Sequence, residues 1–507
     1  MQLLAADRVH RRRGVDGRPP AEPIACHDDR AALVSGGRLC LLCDDRHGER
    51  QQRSGRDQAG NLHDEPFKLV MLSCNTLLPG LHRWVKAGCH LHSRRTFIAA
   101  GAALSTLPAV SDASRRFLSD ALTDRYDVDR SLINLDAAYY GAMTRTVTAR
   151  YRANGDWVNR ENALFLRSAL PGPGRDERLQ PATDAVAGLI GARPDEVALC
   201  AGGTEALYAL IANYRPLEQG DAAIMADIDY DEMQHAMRWL TRTRGARLVT
   251  LDLPEPHSTA NLLAAYDRVL RETPRARLLL LTHLSNRNGV VLPVKEITAM
   301  ARARGVDVIL DAAQSVGQLS VDVHGLGVDF MGFSLHKWVA APLGTGALYI
   351  RRDRLDAIEP WFGNAIRDPD DVRARAPTGT VDYAARLTVP DAVCEHRALG
   401  AAKLVRLVSL RQRWTDAVRD VPGVEIVHPA EPDRVAAIGA FRLPGQRTWE
   451  QAQAAQRRFV EEHRILVVAK RGLASGAVLR VTPSLFNTDA EIDRFAAAVA
   501  AERRLFA

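Results

Sequence analysis

The sequence predicts an α/β fold with a mostly parallel sheet in a large domain and a smaller α+β domain at the C-terminal end. From Pro181 to Arg352, short apolar runs alternate with stretches that read as helices, as in parallel strands joined by helices. Several of these runs end in polar or glycine residues. The chain has 507 residues, of which 46% are hydrophobic, and this is enough for a large core.

The segments flanking the alternating region set the expected domain order. We expect an N-terminal segment at 114–180, the large domain at 181–375 and the small domain at 376–507. The proline- and aspartate-rich patch Glu359–Pro377 marks the division. The small domain is expected to contain two helices and two strands, at Pro390–Arg419, Val424–Val427, Ala436–Leu443 and Glu491–Arg503.

The first apolar run of the large domain leads into a glycine pair. Val197–Cys200 predicts a strand and Glu205–Asn213 a helix, so Gly203 and Thr204 lie where the strand turns into the helix. The N-terminus of a helix favours an anion through its free N–H groups and its dipole. A glycine pair before a helix is by itself more often a plain turn.

Two further runs, Ala222–Ala226 and Arg277–Thr282, also predict strands. Tyr230 follows the first run and Asn286 follows the second. A tyrosine beside an acidic turn is either a surface residue or a ligand contact, and the run alone leaves both interpretations open.

The stretch from Val306 to Arg351 contains the most informative residues. An apolar run ends in Asp311, and a carboxylate at the end of a buried strand usually meets a positive charge. A second run leads into Ser334, His336 and Lys337. A desolvated lysine has a lowered pKa and can attack a carbonyl as a neutral amine. A lone lysine at a strand end more often extends into solvent, so the surrounding motifs decide between the two interpretations.

Those motifs are D-A-A-Q at 311–314, S-x-H-K at 334–337 and G-T-G at 344–346, with G-T-E-A upstream at 203–206. In this order they resemble the fold-type I enzymes that use pyridoxal 5′-phosphate, and specifically the class V aminotransferase family. The resemblance covers the chain from Ile133 to the C-terminus. It implies the fold-type I architecture and pyridoxal phosphate as the cofactor.

The resemblance also implies roles for individual residues. Lys337 would bond to the cofactor aldehyde and move the proton at the substrate α-carbon, and Asp311 would face the pyridine nitrogen and keep it protonated. The remaining cofactor contacts would be the phosphate cup (Gly203, Thr204, Ser334 and His336), a stacked ring (Tyr230), the phenolic oxygen (Asn286 and Gln314) and the neighbouring subunit's phosphate (Thr380).

The same resemblance predicts the substrate contacts and the assembly. Arg480, in the segment L-R-V-T-P-S-L-F-N-T, would hold the α-carboxylate of the substrate, and Tyr139 would line the substrate pocket. The match at Thr380 implies a homodimer. No metal ligand is assigned.

One departure from the family pattern narrows the expected activity. Cysteine desulfurases of this family carry a nucleophilic cysteine on a loop that here reads K-R-G-L-A-S-G at 470–476 and contains none. We therefore expect an aminotransferase or an epimerase, most similar to the isopenicillin N epimerase-like branch, that acts on an amino acid or small peptide. The alternatives are a carbon–sulfur lyase and a non-catalytic sensor that binds pyridoxal phosphate.

Residues 1–90 differ in composition from the rest and hold five of the seven cysteines. Cys40 and Cys43 have the spacing of half a zinc site, but no second pair with suitable spacing follows. We expect these residues to be disordered or a mis-annotated extension, with translation starting at Met71.

Residues 91–113 resemble a twin-arginine export signal. Arg94 and Arg95 precede the apolar stretch Ile98–Val110, and a small-residue cleavage site follows at Ser111–Ala113. The expected partner is the twin-arginine export machinery and the expected location the periplasm. We expect no stable membrane span, and with a formal charge of +6 and no nucleic-acid motif we expect no nucleic-acid partner.

Overall fold

The computed structural model describes residues 122–167, 172–365, 367–377, 379–427, 429 and 431–506. The expected extension at 1–90 and the expected signal at 91–113 lie outside these residues. In chain order the described elements are β1 (Ile133–Asn134), α1 (Arg145–Arg160), α2 (Asn162–Leu166), α3 (Arg175–Ile190), β2 (Val197–Cys200), α4 (Gly203–Ala212), β3 (Ala222–Ala226), α5 (Asp231–Arg244), β4 (Arg247–Leu251), α6 (Thr259–Glu272), β5 (Ala276–Thr282), α7 (Val294–Arg302), β6 (Asp307–Asp311), α8 (Val323–Leu326), β7 (Phe330–Ser334), β8 (Gly346–Ile350), α9 (Tyr383–Val418), β9 (Glu425–Ile426), β10 (Gly439–Arg442), α10 (Trp449–His463), β11 (Ile465–Leu466), β12 (Val468–Lys470), β13 (Val478–Val481) and α11 (Asp489–Glu502).

The large domain is built on a seven-stranded sheet in the order β2-β8-β7-β6-β5-β3-β4. The pairs from β7 to β4 are parallel, and β8 runs antiparallel to both of its neighbours. The mostly parallel sheet predicted from the sequence is confirmed. Because β2, β3, β5, β6 and β7 run in the same direction, their carboxyl ends lie at one edge, where ligands of open α/β sheets bind.

Strand β5 shows why the central strands lack alternation of polar and apolar residues. Leu278 and Leu280 pack into the core on one face of the sheet, and Leu279 and Leu281 pack into the core on the other. All four are fully buried. A strand covered on both faces reads as a continuous apolar run, and the two helical layers thus exclude water from the middle of the sheet.

The C-terminal part contains a four-stranded antiparallel sheet in the order β12-β13-β10-β9. Its core holds Trp414, Phe441, Phe459 and Phe495, with ring centroids 5.7–6.1 Å apart across the edge and tilted contacts. The N-terminal segment also contacts this part, since its strand β1 pairs in parallel with β11.

Helix α9 connects the two parts and departs from the prediction. It begins at Tyr383 rather than Pro390, because the Asp382 side chain caps it by accepting a hydrogen bond from the Ala385 N–H at 2.9 Å. The backbone leaves the helical conformation at Gly400, so α9 is two helical segments joined at a bend. Among the described residues, no helix is long and apolar enough to cross a membrane.

Candidate active site

A pocket opens at the edge of the large sheet where the parallel strands end. The pocket and its mouth enclose about 390 Å³ of empty space. The following residues line it: Gly203, Thr204, Leu207, Tyr230, Thr282, Leu284, Asn286, Asp311, Ala313, Gln314, Ser334 and Lys337. Eight of the residues that the sequence singled out are therefore brought together here, from the ends of β2, β3, β5, β6 and β7.

Lys337 lies on a tight turn after β7 that is held from several sides. The Gly141 N–H donates to the His336 carbonyl at 2.8 Å. The Trp338 indole N–H donates to Gln314 Oε1 at 2.8 Å, and the Trp338 carbonyl accepts a hydrogen bond from the buried Lys403 ammonium. Because the residues on both sides of Lys337 are fixed, its side chain is directed by a rigid turn rather than by a mobile loop.

Lys337 and Asp311 are opposite charges removed from water. Desolvation lowers the pKa of Lys337 from 10.5 to about 8, the Asp311 carboxylate opposes that shift, and the guanidinium of Arg480 adds to it. Burial raises the pKa of Asp311, while a 2.9 Å hydrogen bond from the Ala313 N–H and the charge of Lys337 lower it. At neutral pH a fraction of Lys337 is therefore the neutral amine, the form that attacks a carbonyl carbon.

An anion-binding cup forms where β2 turns into α4. The helix begins at Gly203, and its N-terminal neighbour Gly202 provides no side chain to cap it. A Cβ atom on Gly203 would lie 2.9 Å from Ser334 Oγ, so only glycine fits against this hydroxyl. Ser334 Oγ accepts the Gly203 N–H at 3.0 Å, and its own proton has no partner among the described residues. Backbone N–H groups, a helix dipole and a free hydroxyl proton suit a phosphate group.

His336 lies behind this cup rather than among the pocket-lining residues. Its Nδ1 is 2.8 Å from the Thr345 carbonyl oxygen, which can only accept, so Nδ1 carries a proton. Burial and the charge of Lys337 lower the pKa of His336. The neutral imidazole would need to gain a proton at Nε2 before it could donate to a phosphate.

Gln314 makes two hydrogen bonds that the sequence did not predict. Its side-chain oxygen accepts the indole N–H of Trp338, and its side-chain N–H donates to the Ala138 carbonyl at 2.9 Å. One amide proton remains without a partner among the described residues. Gln314 thus ties the N-terminal segment to the Lys337 turn while it lines the pocket.

Arg480 is buried on β13 and already engaged by the protein. It forms an ion pair with Asp136, and its Nη1 donates to the Asn286 carbonyl at 3.0 Å. Its Nε is buried with no partner among the described residues. A buried N–H without a partner is costly, and an incoming carboxylate oxygen would satisfy it. Asp136 and this engagement were not predicted from the sequence.

Tyr139 and Thr380 are not among the residues that line the pocket of this chain. Tyr139 is 71% exposed and packs edge to face with Tyr140, and Thr380 is exposed just before α9. Their predicted roles, contact with the substrate and with a neighbouring subunit, remain predictions. The two cysteines among the described residues are free thiols, Cys200 buried and Cys394 exposed. Burial raises the pKa of Cys200 to about 12, which disfavours the nucleophilic thiolate.

Comparison with known proteins identifies relatives of the whole described fold. The profile of the family described as "Aminotransferase class-V" matches residues 175–495. An isopenicillin N epimerase from Streptomyces clavuligerus is 29% identical over 73% of this chain and 95% of its own length. A probable cysteine desulfurase from Xylella fastidiosa strain 9a5c is 26% identical over 79% of this chain and 98% of its own length.

Solved structures agree on the fold. A cystine C-S lyase, solved with cysteine persulfide, superimposes with a TM-score of 0.62 at 20% identity, covering 74% of this chain and 98% of the lyase. A further structure of that lyase, a mutant, has glycine covalently linked to the pyridoxal phosphate cofactor. The fold-type I prediction is confirmed, and pyridoxal phosphate is the cofactor of this protein. The pocket fits it, since an anion cup, a lysine of lowered pKa and a buried carboxylate occur together.

The charges around Lys337 predict how fast the apoprotein takes up pyridoxal phosphate at different pH. The rate should rise as pH approaches about 8, the pKa of Lys337, because the neutral amine reacts. Asp311→Asn removes a charge that stabilises the ammonium, so the midpoint should move to lower pH. Arg480→Met removes a charge that destabilises it, so the midpoint should move to higher pH. Stopped-flow absorbance measures both.

Lys295, an exposed lysine on α7, provides the control. Lys295→Met should leave the midpoint of cofactor uptake unchanged. Midpoints that move in the same direction in Asp311→Asn and Arg480→Met would contradict this account of the Lys337 electrostatics.

Proposed function

The chain belongs to the aminotransferase class-V family, and from that premise we propose that it acts on the α-amino group of an amino acid or small peptide, as an aminotransferase or an epimerase. One observation carries the proposal. Lys337, whose pKa is lowered to about 8, and the buried Asp311 line one pocket with an anion cup at the start of α4. Aminotransferases and epimerases both need a base that can move a proton at the α-carbon.

Each polar group of the pocket has a task in this proposal. When bound, pyridoxal phosphate draws electrons away from the substrate α-carbon. Asp311 keeps the ring nitrogen charged, and Ser334 with the first N–H groups of α4 holds the phosphate. Lys337 removes the α-proton, carries it on Nζ and then gives it back from the same atom. Arg480 holds the α-carboxylate through Nε, the donor that has no partner among the described residues, and so fixes which α-bond faces Lys337.

The loop that follows Lys470 favours this function over cysteine desulfuration. Although a relative is named a probable cysteine desulfurase, residues 470–476 of this chain contain no cysteine that could take a sulfur atom. Ser475 lies on this loop, and its hydroxyl accepts a hydrogen bond from the Arg442 guanidinium at 2.6 Å and donates one to Glu255 at 2.6 Å.

A carbon–sulfur lyase is the second candidate. It is supported by the structural similarity to a cystine C-S lyase and by partial matches to proteins named putative L-cysteine desulfhydrases. A lyase needs no cysteine nucleophile of its own, so the composition of the 470–476 loop does not argue against it.

An absorbance experiment separates these activities. The cofactor-loaded protein is scanned with a panel of amino acids, including cysteine, with and without a keto acid. If an amino acid removes the visible absorbance band of the bound cofactor and a keto acid restores it, the activity is amino transfer. A persistent band with loss of optical activity indicates epimerisation, and release of pyruvate from cysteine indicates the lyase. Lys337→Ala should lose turnover by at least about a thousandfold, as expected for removal of an essential base. A visible band that no amino acid perturbs would overturn the proposal.

We further propose that the protein is exported in folded form by the twin-arginine route and acts in the periplasm. The support is the sequence S-R-R-T-F-I at 93–98, followed by an apolar stretch and small residues. A folded export route is consistent with a cofactor that is loaded in the cytoplasm before transport.

Paired substitutions test the export proposal. In a bacterial host with this pathway, Arg94→Lys with Arg95→Lys should retain the protein in the cytoplasm, since the arginine pair is what the machinery recognises. The matched control, Arg115→Lys with Arg116→Lys, changes an arginine pair just after the proposed signal and should be exported as wild type. Fractionation and mass spectrometry of the N-terminus measure the outcome, and equal export of both variants would contradict the proposal.

A homodimer completes the proposed assembly. Its support is the match at Thr380 together with large exposed side chains, among them Tyr139, Leu343 and Phe362, which are 58–88% exposed in the single chain. Light scattering should give twice the chain mass. Thr380→Ala should weaken cofactor retention without changing the mass, and a monomeric wild type would refute the assembly.

A further inference from the structure

A lysine without an assigned role lies beside the proposed carboxylate-binding arginine. In the pairing of β12 with β13, Val468 lies opposite Arg480 and Lys470 lies opposite Val478. Opposite residues share a face of the sheet, and so do residues two apart on one strand. Lys470 and Arg480 are therefore diagonal neighbours on the same face, a spacing of about 7–8 Å that long side chains can bridge.

The side chain of Lys470 has no hydrogen bond and no ion pair with any residue that the structure describes. It is nevertheless half-buried. Desolvation lowers its pKa to about 8, the charge of Arg480 adds to this, and Asp136 and Asp231 oppose it. A desolvated ammonium without a close counter-ion is unfavourable. A ligand that brings an anionic group to Lys470 would offset that cost.

The two guanidinium groups near Lys470 are already paired with carboxylates. Arg480 pairs with Asp136, and Arg287, which is fully buried, pairs with Asp231 at 2.8 Å. Lys470 differs from both arginines because it has no ion-pair partner among the described residues. A substrate with a second anionic group would provide that partner, whereas a substrate with a single carboxylate bound at Arg480 would not.

The segment after Lys470 is fixed, so the lysine does not sit on a free loop. A Cβ atom on Gly472, whose φ is +103°, would lie 2.0 Å from Nη1 of Arg287, so the loop packs its bare backbone against that guanidinium. The Ala474 N–H donates to Asp227 at 2.9 Å. A fixed position reduces the ordering cost when a ligand binds.

We propose that Lys470 binds an anionic group on the side chain of the substrate, while Arg480 holds the α-carboxylate. Because Lys470 and Arg480 are diagonal neighbours on one face, a short substrate with two carboxylates can contact both residues. The substrate class is therefore an amino acid or small peptide with an acidic group near the reacting amino group. This inference rests on the proposed function, since Arg480 is assigned the α-carboxylate there.

A pair of isosteric amino acids tests the proposal on the cofactor-loaded protein. L-Glutamate and L-glutamine differ in the charge of one terminal group. Wild type should bind L-glutamate about tenfold or more tightly than L-glutamine, as expected for one charge-assisted hydrogen bond. Lys470→Met should remove this preference by weakening glutamate alone. Lys295→Met, which removes an exposed lysine, should behave as wild type.

A binding measurement that needs no turnover separates this inference from the proposed function. Calorimetry compares glutarate with pentanoate, which has one carboxylate on a chain of the same length. Wild type should bind glutarate more tightly by about tenfold, and Lys470→Met should lose that difference. If no amino acid perturbs the absorbance of wild type while Lys470→Met still loses the preference for glutarate, the proposed function fails and the subsite stands.

Three results would overturn the subsite. If wild type binds glutarate no more tightly than pentanoate, the protein has no site for a second carboxylate. A Lys470→Met variant with unchanged affinities would show that Lys470 makes no contact. Equal weakening of both ligands in that variant would show that Lys470 acts only through Arg480 and Asp136.

Discussion

The ammonium of Lys337 and the carboxylate of Asp311 are opposite charges held together out of water, and this buried pair governs the chemistry of the pocket. The sheet brings them together, because β6 and β7 are parallel neighbours with Asp311 in register with Gly332. Helices cover both faces of that sheet and exclude water. The turn after β7 is then fixed through Trp338, whose carbonyl is held by Lys403 and whose indole is held by Gln314. A lysine of lowered pKa and a carboxylate of raised pKa follow from this arrangement.

Much of this arrangement could be predicted because the residues that matter follow directly after strands. The runs at 197–200 and 222–226 become β2 and β3 with the predicted bounds, since each is continuously apolar and is followed within two residues by glycine or aspartate. In a parallel sheet the residues after each strand meet at one edge. Gly203, Tyr230, Asn286, Asp311 and Lys337 therefore converge although up to 134 positions separate them, from 203 to 337.

What could not be predicted depends on contacts between distant segments. Asp136 lies 344 positions from Arg480, and no local pattern marks their ion pair. The sequence contains Lys470, but its position beside Arg480 could not be predicted because it depends on the register of β12 and β13. Helix α9 begins seven residues earlier than expected, because Asp382 caps it and Pro390 is accommodated inside it. Asp136 and Lys470 lie beside Arg480, the proposed substrate contact, whereas the residues that follow the strands line the cofactor pocket.

The most direct test of the central claim is to find the lysine that bonds to pyridoxal phosphate. The loaded protein is reduced with borohydride, digested and mapped by mass spectrometry. Lys337, Lys403 and Lys470 all have pKa values lowered to between about 7 and 8, so each is chemically capable of the bond. We expect the reduced cofactor on Lys337 alone. Its presence on Lys403 or Lys470, with Lys337 unmodified, would refute the assignment of Lys337.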